Sequence, residues 1–387
     1  MRIGIVGAGA AGLMAAATIK EKSPQSKVIL FEGNSRIGRK IAISGGGRCN
    51  VTTGITDLQI LKTKYPRGAD FLKFAFKVFP PDKVVGWFEE QGVKLKCEKD
   101  MRIFPKSNNA EEVVELFEKL IPETFKLSEK VSRIENGFRV ITNKCEYEVD
   151  KLILTTGGNA YSHTGSTGDG YSFARELGHT ITELGPSLNS FEVEEQWVKD
   201  LSGLTLPKAK IGECEGPFLF THFGISGPVV FAFASHIPYR GMPYTIDLIP
   251  TTEEINLNHL IELNGKKSIT NVLSLTLPER LSRTILHQLE IDGNKKSGDL
   301  SKIERKKIFD ILKNGINITL KNRKPGDEFV TAGGVDLSEV NPKTMQSRLN
   351  PNLYFAGELL NIDGYTGGFN LQSSWATGRL AGLNVVK

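Results

Sequence analysis

The chain has 387 residues, 39% hydrophobic and 24% charged, with Lys and Arg exceeding Asp and Glu by five. That balance suits two or three domains around a large core and excludes a disordered or fibrous chain. No apolar segment reaches membrane-spanning length without glycine, so no membrane association is expected. Cys49, Cys97, Cys145 and Cys214 are far apart and the six histidines are scattered. No metal site is therefore predicted, and a reducing cytoplasm is the expected location. The lysines read as dispersed over a solvated surface, so no nucleic-acid partner is expected.

Residues 3–6 form a short apolar run that predicts a buried strand. Gly7, Gly9 and Gly12 follow at G-x-G-x-x-G spacing, with Ala10 and Ala11 between them, and residues 13–20 read as a helix. Such a turn serves a dinucleotide: tight bend, close backbone approach to a pyrophosphate, and close helix–strand packing. The helix start adds free N–H groups and a positive dipole end. Residues 27–31 predict a second strand, and Glu32, with Gly33 after it, stands about twenty residues beyond Gly12, where a carboxylate can meet a ribose. Four glycines and this acid argue against reading the first residues as a signal peptide.

A second glycine cradle follows at once: Arg39 and Lys40, then Ser44, Gly45, Gly46, Gly47, Arg48, Cys49 and Asn50. Bare glycines let peptide N–H groups face a ring or phosphate, and the cations can neutralise a pyrophosphate. Residues 56–125 read as mainly helical, and residues 139–142 and 146–149 as a meander turning at Asn143 and Lys144. Residues 151–155 predict a strand running into Thr156, Gly157 and Gly158; a TGSTGDG segment (164–170) and a helix over 171–178 follow.

From about residue 187 the texture changes to glycine, proline and β-branched residues, predicting a small β domain over 187–250. Residues 251–324 read as a helical domain. Residues 325–387 are glycine-rich again, with a strand over 353–356, then Gly357 and Glu358, then Gly364, Gly367, Gly368, Phe369, Asn370, Leu371 and Gln372 opening a last helix. The expected class is α/β, a Rossmann-like nucleotide domain (1–186 and 325–387) interrupted by insertions. Four glycine-rich segments, each at a strand or helix end, suit the extended FAD molecule better than a short pocket. Glu358 can accept from a ribityl hydroxyl, and the last helix can aim its dipole at the flavin N1 and O2.

SGGGRCN, TGSTGDGY, FTHFGISGP (220–228) and AGE…DGYTGGFNLQ together resemble the BaiN-like, aminoacetone oxidase-like family of FAD-binding oxidoreductases over nearly the whole chain. The resemblance implies a discontinuous FAD domain, an inserted barrel-like β domain and a helical cap. It also implies non-covalent FAD contacts along these glycine segments, with the backbone of Val131 meeting the adenine. The chain departs from the family pattern at Ala160 and Ser162, where Ser and Pro are usual, and at Asn361, often Asp.

Flavin would carry the redox step by hydride transfer with a small organic substrate, and NAD(P)H is a possible donor, although no second nucleotide fingerprint is present. His222 and His163 are the acid–base candidates and Arg48 a further catalytic candidate. Cys49 beside the cradle reads as a packing residue rather than a redox thiol. Two other readings stay open: a flavin enzyme acting on tRNA, and a flavin-binding sensor without turnover.

Overall fold

The computed structural model describes residues 1–135, 137–237, 244–249, 257–324, 326 and 328–387. It divides into two compact units, Met1–Ser187 with Phe329–Lys387, and Leu188–Glu328. The boundaries expected at 250/251 and at 325 fall outside the described residues.

The first unit is built on five parallel strands in the order Leu353–Phe355, Lys151–Leu154, Arg2–Val6, Lys27–Phe31, Phe125–Lys126. Their apolar residues are buried, as in a sheet covered on both faces. Helices Ala10–Lys22 and Phe369–Val385 pack directly on each other. Glycine makes that approach possible: a β-carbon on Gly378 would lie 2.3 Å from the Ala11 carbonyl oxygen, and one on Gly382 2.8 Å from that of Ala15. From Arg2–Val6 the chain winds first to Lys27–Phe31 on one side and later to Lys151–Leu154 on the other. That is a topological switch point, and ligands of such sheets bind beyond the strands' carboxyl ends there.

The meander appears as Val131–Glu135, Arg139–Thr142 and Glu146–Glu148. The region expected to be mainly helical holds Leu58–Lys62, Ala69–Val78, Pro81–Glu90 and Glu111–Leu120. It also holds strand Arg102–Pro105, which pairs with Thr52–Thr53 on one side and with Leu95–Cys97 on the other. These pieces are too short to show a period by themselves. Trp87, Phe88, Phe117 and Trp375 form an aromatic core in this unit, the Trp375 indole lying 5.8 Å from the Phe117 ring at 16°.

In the second unit, six strands close a barrel in the order Phe191–Val193, Gly224–Ser226, Cys214–Phe220, Thr205–Ile211, Tyr244–Ile249, Ile316–Arg323. The last strand corrects the reading of residues 251–324 as helical. Ile316, Ile318 and Leu320 alternate inward, a two-residue period hidden behind the preceding helix. Helices Ile269–Leu273, Glu279–Gln288 and Lys302–Asn314 place Val272, Ile285 and Ile308 in one core with barrel residues Phe218 and Phe220. The separate β domain (187–250) and helical domain (251–324) are thus one unit. Ser301 and Glu304 cap Lys302–Asn314 reciprocally, a capping box.

Candidate cofactor site

Four of the sequence-marked segments leave carboxyl ends of the parallel strands: Gly7 follows Val6, Glu32 follows Phe31, Thr155–Gly158 follow Leu154, and Gly357 and Glu358 come just after Phe355. The three fingerprint glycines divide their work. Gly7 has φ +103°, and a β-carbon there would sit 2.6 Å from the Thr155 carbonyl oxygen. A β-carbon on Gly12 would sit 2.0 Å from the Gly7 carbonyl oxygen. Gly9 differs, because nothing lies within 4 Å of its missing side chain. Gly9 caps Ala10–Lys22 without a side-chain bond, and no acidic residue stands in the first turn. Its orphan N–H groups at Ala10, Ala11 and Gly12 and the dipole are left for an anion.

Glu32 is held in place. One carboxylate oxygen accepts from Ala8 N (3.0 Å), the other from Asn34 N (2.9 Å) and Asn34 Nδ2 (2.7 Å). The Asn34 amide also donates to Thr164 O (3.0 Å) and accepts from Arg39 Nη1 (2.7 Å). Asn34 thus ties the ribose-type carboxylate to Arg39 and to the 164–170 segment. A pocket beside Glu32 is walled by Gly7, Gly33, Glu129, Lys130, Val131 and Thr156. The Thr156 hydroxyl is buried and has no partner. Val131, placed by resemblance alone, therefore shares a wall with Glu32.

The Arg39–Gly47 helix breaks at Ser44, Gly45 and Gly46. The Ser44 hydroxyl donates to Ile41 O (2.8 Å). Gly45 is packed, 2.9 Å from a Phe104 ring atom for an added β-carbon, whereas Gly46 and Gly47 face open space. Cys49 is fully buried, and burial pushes its thiol up to about 12. It stays protonated at neutral pH and packs. Asn50, with its amide oriented to satisfy both neighbours, accepts from Gly368 N (2.8 Å) and donates to Thr52 O (3.1 Å). Gln372 is buried between Thr52 Oγ1 (2.6 Å) and Phe79 O (2.9 Å), and Trp375 Nε1 donates to Val51 O (2.9 Å). The second cradle and the start of the last helix are therefore stitched together. The Gln372 side chain is spent on that stitching, while Phe369 is buried and its carbonyl accepts from Tyr65 Oη (2.7 Å). Asn370 braces the turn by bonds to Gly364 N and Gly364 O, both 2.8 Å. Leu371 lies in the first turn of Phe369–Val385, which carries no acidic residue.

The charged candidates are all engaged. Lys40 Nζ lies 2.8 Å from Glu358 Oε2, and Glu358 Oε1 accepts from Thr331 N (2.9 Å). Arg48 Nη1 lies 2.8 Å from Glu98 Oε1, its guanidinium 3.9 Å from the centre of the Phe104 ring. His163 is exposed beside Tyr161, with ring centres 5.8 Å apart. His222 is exposed beside Phe223, in the second unit.

Three residues escaped sequence reasoning. Asn34 stood in view two places after Glu32 but matches no spacing rule. Thr331, whose hydroxyl accepts from Asn159 N (2.7 Å) and Ala160 N (3.1 Å), has no sequence signal. Asp363 is fully buried, bonded to Arg67 Nε (2.5 Å) and the Ser187 hydroxyl (2.6 Å).

Gly9, Gly46 and Gly47 open their backbone where a pyrophosphate or ring can approach, two helix starts lack acids, and a ribose-type carboxylate and an unpartnered hydroxyl line one pocket. That donor set fits FAD. Among the described residues, no group of three or more His, Cys, Asp or Glu could hold a metal ion, and no helix is long and apolar enough to cross a membrane.

The chain matches the model of the HI0933-like protein Rossmann domain over residues 1–384. It is 30% identical to a 3-dehydro-bile acid delta(4,6)-reductase of Clostridium scindens, covering 98% of each chain. It is also 30% identical to a ribosomal RNA dihydrouridine synthase of Haemophilus influenzae, covering 98% of this chain and 97% of that one. Its fold is similar to that of a 3-ketosteroid delta1-dehydrogenase from Sterolibacterium denitrificans, with a TM-score of 0.51 at 11% identity, covering 99% of this chain and 98% of that one. The chain belongs to the HI0933-like family and is an FAD-dependent oxidoreductase.

Proposed function

We propose that the protein saturates a carbon–carbon double bond conjugated to a carbonyl in a small organic substrate, with NAD(P)H as electron source. The observation that carries this is the bare-amide cradle at the switch point, read together with the relatives' names. The two curated relatives named above are a delta(4,6)-reductase and a dihydrouridine synthase, names that both describe saturating a carbon–carbon double bond. Bound FAD would supply two-electron, hydride-level redox chemistry between nicotinamide and substrate.

The chain's own residues then have defined tasks. The N–H groups at Gly9–Gly12 and the cations Arg39 and Lys40 hold the pyrophosphate. Glu32 takes the ribose, and the pocket beside it, with the Val131 backbone, takes the adenine. Glu358, steadied by Lys40 and Thr331 N, would accept from a ribityl hydroxyl. The first turn of Phe369–Val385 offers its dipole to the negative charge that reduction brings. His222 and His163 are the candidates to give the substrate its proton. Arg48, shared between Glu98 and Phe104, orients rather than transfers one. Four free thiols suit a reducing cytoplasm.

An anaerobic titration tests this. NADH or NADPH should bleach the flavin, and a conjugated enone should restore its colour. Bleaching that no conjugated acceptor reverses would leave the sensor reading in place. A second reading, the same saturation on a uracil ring in RNA, is favoured by the name of the H. influenzae relative.

A further inference from the structure

Residues 257–324 hold fourteen Lys and Arg against seven Asp and Glu, although the second unit as a whole (188–328) is balanced, with eighteen of each. Within that segment, Lys302, Lys306, Phe309 and Lys313 stand at i, i+4, i+7 and i+11 on Lys302–Asn314 and so share one helix face. All four are exposed, Phe309 at 45%, while Ile308 and Leu312 bury the other side. Lys313 Nζ lies 5.8 Å from the centre of the Phe309 ring.

Two loops extend the charge. Ser297 N donates to Lys267 O (2.9 Å) and Ile269 N to Lys295 O (2.9 Å), bringing Lys267 and Lys296, both exposed, onto adjoining strands of chain. Arg305 Nη2 donates to Gly298 O (3.1 Å), which fastens the helix start to the same loops. Lys295 is neutralised by Glu304 at 2.8 Å, but Lys267, Lys296, Lys302 and Lys306 have no carboxylate partner among the described residues.

We infer that this face docks single-stranded RNA, the lysines meeting phosphates and Phe309 stacking on a base. Cations in a row with an aromatic between them match the spacing of charge and ring along a single strand. This departs from the expectation of no nucleic-acid partner. As an account of the substrate it rests on the RNA reading above, but the surface itself is tested by binding alone, without flavin turnover.

The probe is a fluorescein-labelled uridine-rich RNA of about 20 nucleotides, titrated by anisotropy with the full chain at about 50 and 200 mM salt. K302E/K306E/K313E is compared with K83E/K94E/K119E, an equal charge change at exposed lysines of the other unit. The stripe variant should lose at least tenfold more affinity than the control and flatten the log–log salt slope by about 2, from roughly 0.7 per phosphate contact. Phe309→Ala should lose about 5-fold or more through stacking, and with Lys306→Glu it serves as the test should the triple variant fail to fold. Equal losses in both triple variants, no wild-type binding at the lower salt, or binding to phosphatidylserine vesicles but not to RNA would each overturn the inference.

Discussion

Gly9→Ala and Gly12→Ala differ by one methyl each, three residues apart, yet they should fail in different ways. At Gly9 the added carbon meets nothing within 4 Å, and the backbone (φ −85°, ψ −172°) is one alanine adopts readily. The apoprotein should lose only about 0.5–1 kcal/mol, the cost of alanine at a helix N-cap. The methyl would stand where a pyrophosphate approaches and would break one charge-assisted N–H bond, about 1.5–3 kcal/mol, so FAD affinity should fall roughly 10- to 150-fold. At Gly12 the carbon would lie 2.0 Å from the Gly7 carbonyl oxygen and 2.6 Å from Thr155 Oγ1, which itself bonds the carbonyls of Val6 and Gly7. The Gly7 peptide and the doubly bonded Thr155 hydroxyl have nowhere to move, so the cost should reach about 3 kcal/mol or more. That corresponds to a fall in Tm of roughly 6–12 °C for a unit of this size. The assay pairs thermal melts of the apoproteins with FAD titration by fluorescence quenching. If Gly9→Ala binds FAD like the wild type, or melts as low as Gly12→Ala, the assigned division of labour is wrong.

Other outcomes follow from the same site. Glu32→Ala should weaken FAD binding by about 10-fold or more while a folded melt persists, since it removes a charged acceptor; unchanged affinity would remove Glu32 from the ribose. Trp375→Phe keeps the ring stack but strands the Val51 carbonyl, so stability should drop by about 1–3 kcal/mol in a denaturant melt. Cys49 should resist iodoacetamide at pH 8 in the native state while exposed Cys97 and Cys145 react, as peptide mass mapping would show. Because burial raises the Cys49 thiol to about 12 from 9.0, its protonated form favours the fold. That contribution is complete below pH 9 and is lost as pH climbs toward 12, so Cys49→Ala should flatten this alkaline loss of stability.

Much of the cradle was legible because its signals are local. Gly7, Gly9 and Gly12 sit between an apolar strand and a helix, and the other glycine segments stand close to strand or helix ends. Local spacing also located helices such as Glu111–Leu120, whose apolar face repeats at helical period. What stayed hidden depends on partners far away in the chain. Ile316–Arg323 alternates like a strand, but its pairing with Phe191–Val193 spans more than a hundred residues. Asn34 matters only because Arg39 and Thr164 converge on it, and Thr331 only because Glu358 and Ala160 do. Helical spacing also gathers Lys302, Lys306 and Lys313 on one face, a grouping visible in the sequence only once the helix is placed.

The most direct check is the absorption spectrum of the protein as purified, followed by heating. A yellow protein with flavin bands, releasing intact FAD into the supernatant on denaturation, is the expected result. A colourless chain that takes up no added FAD would contradict the reading of these strand ends as a flavin cradle.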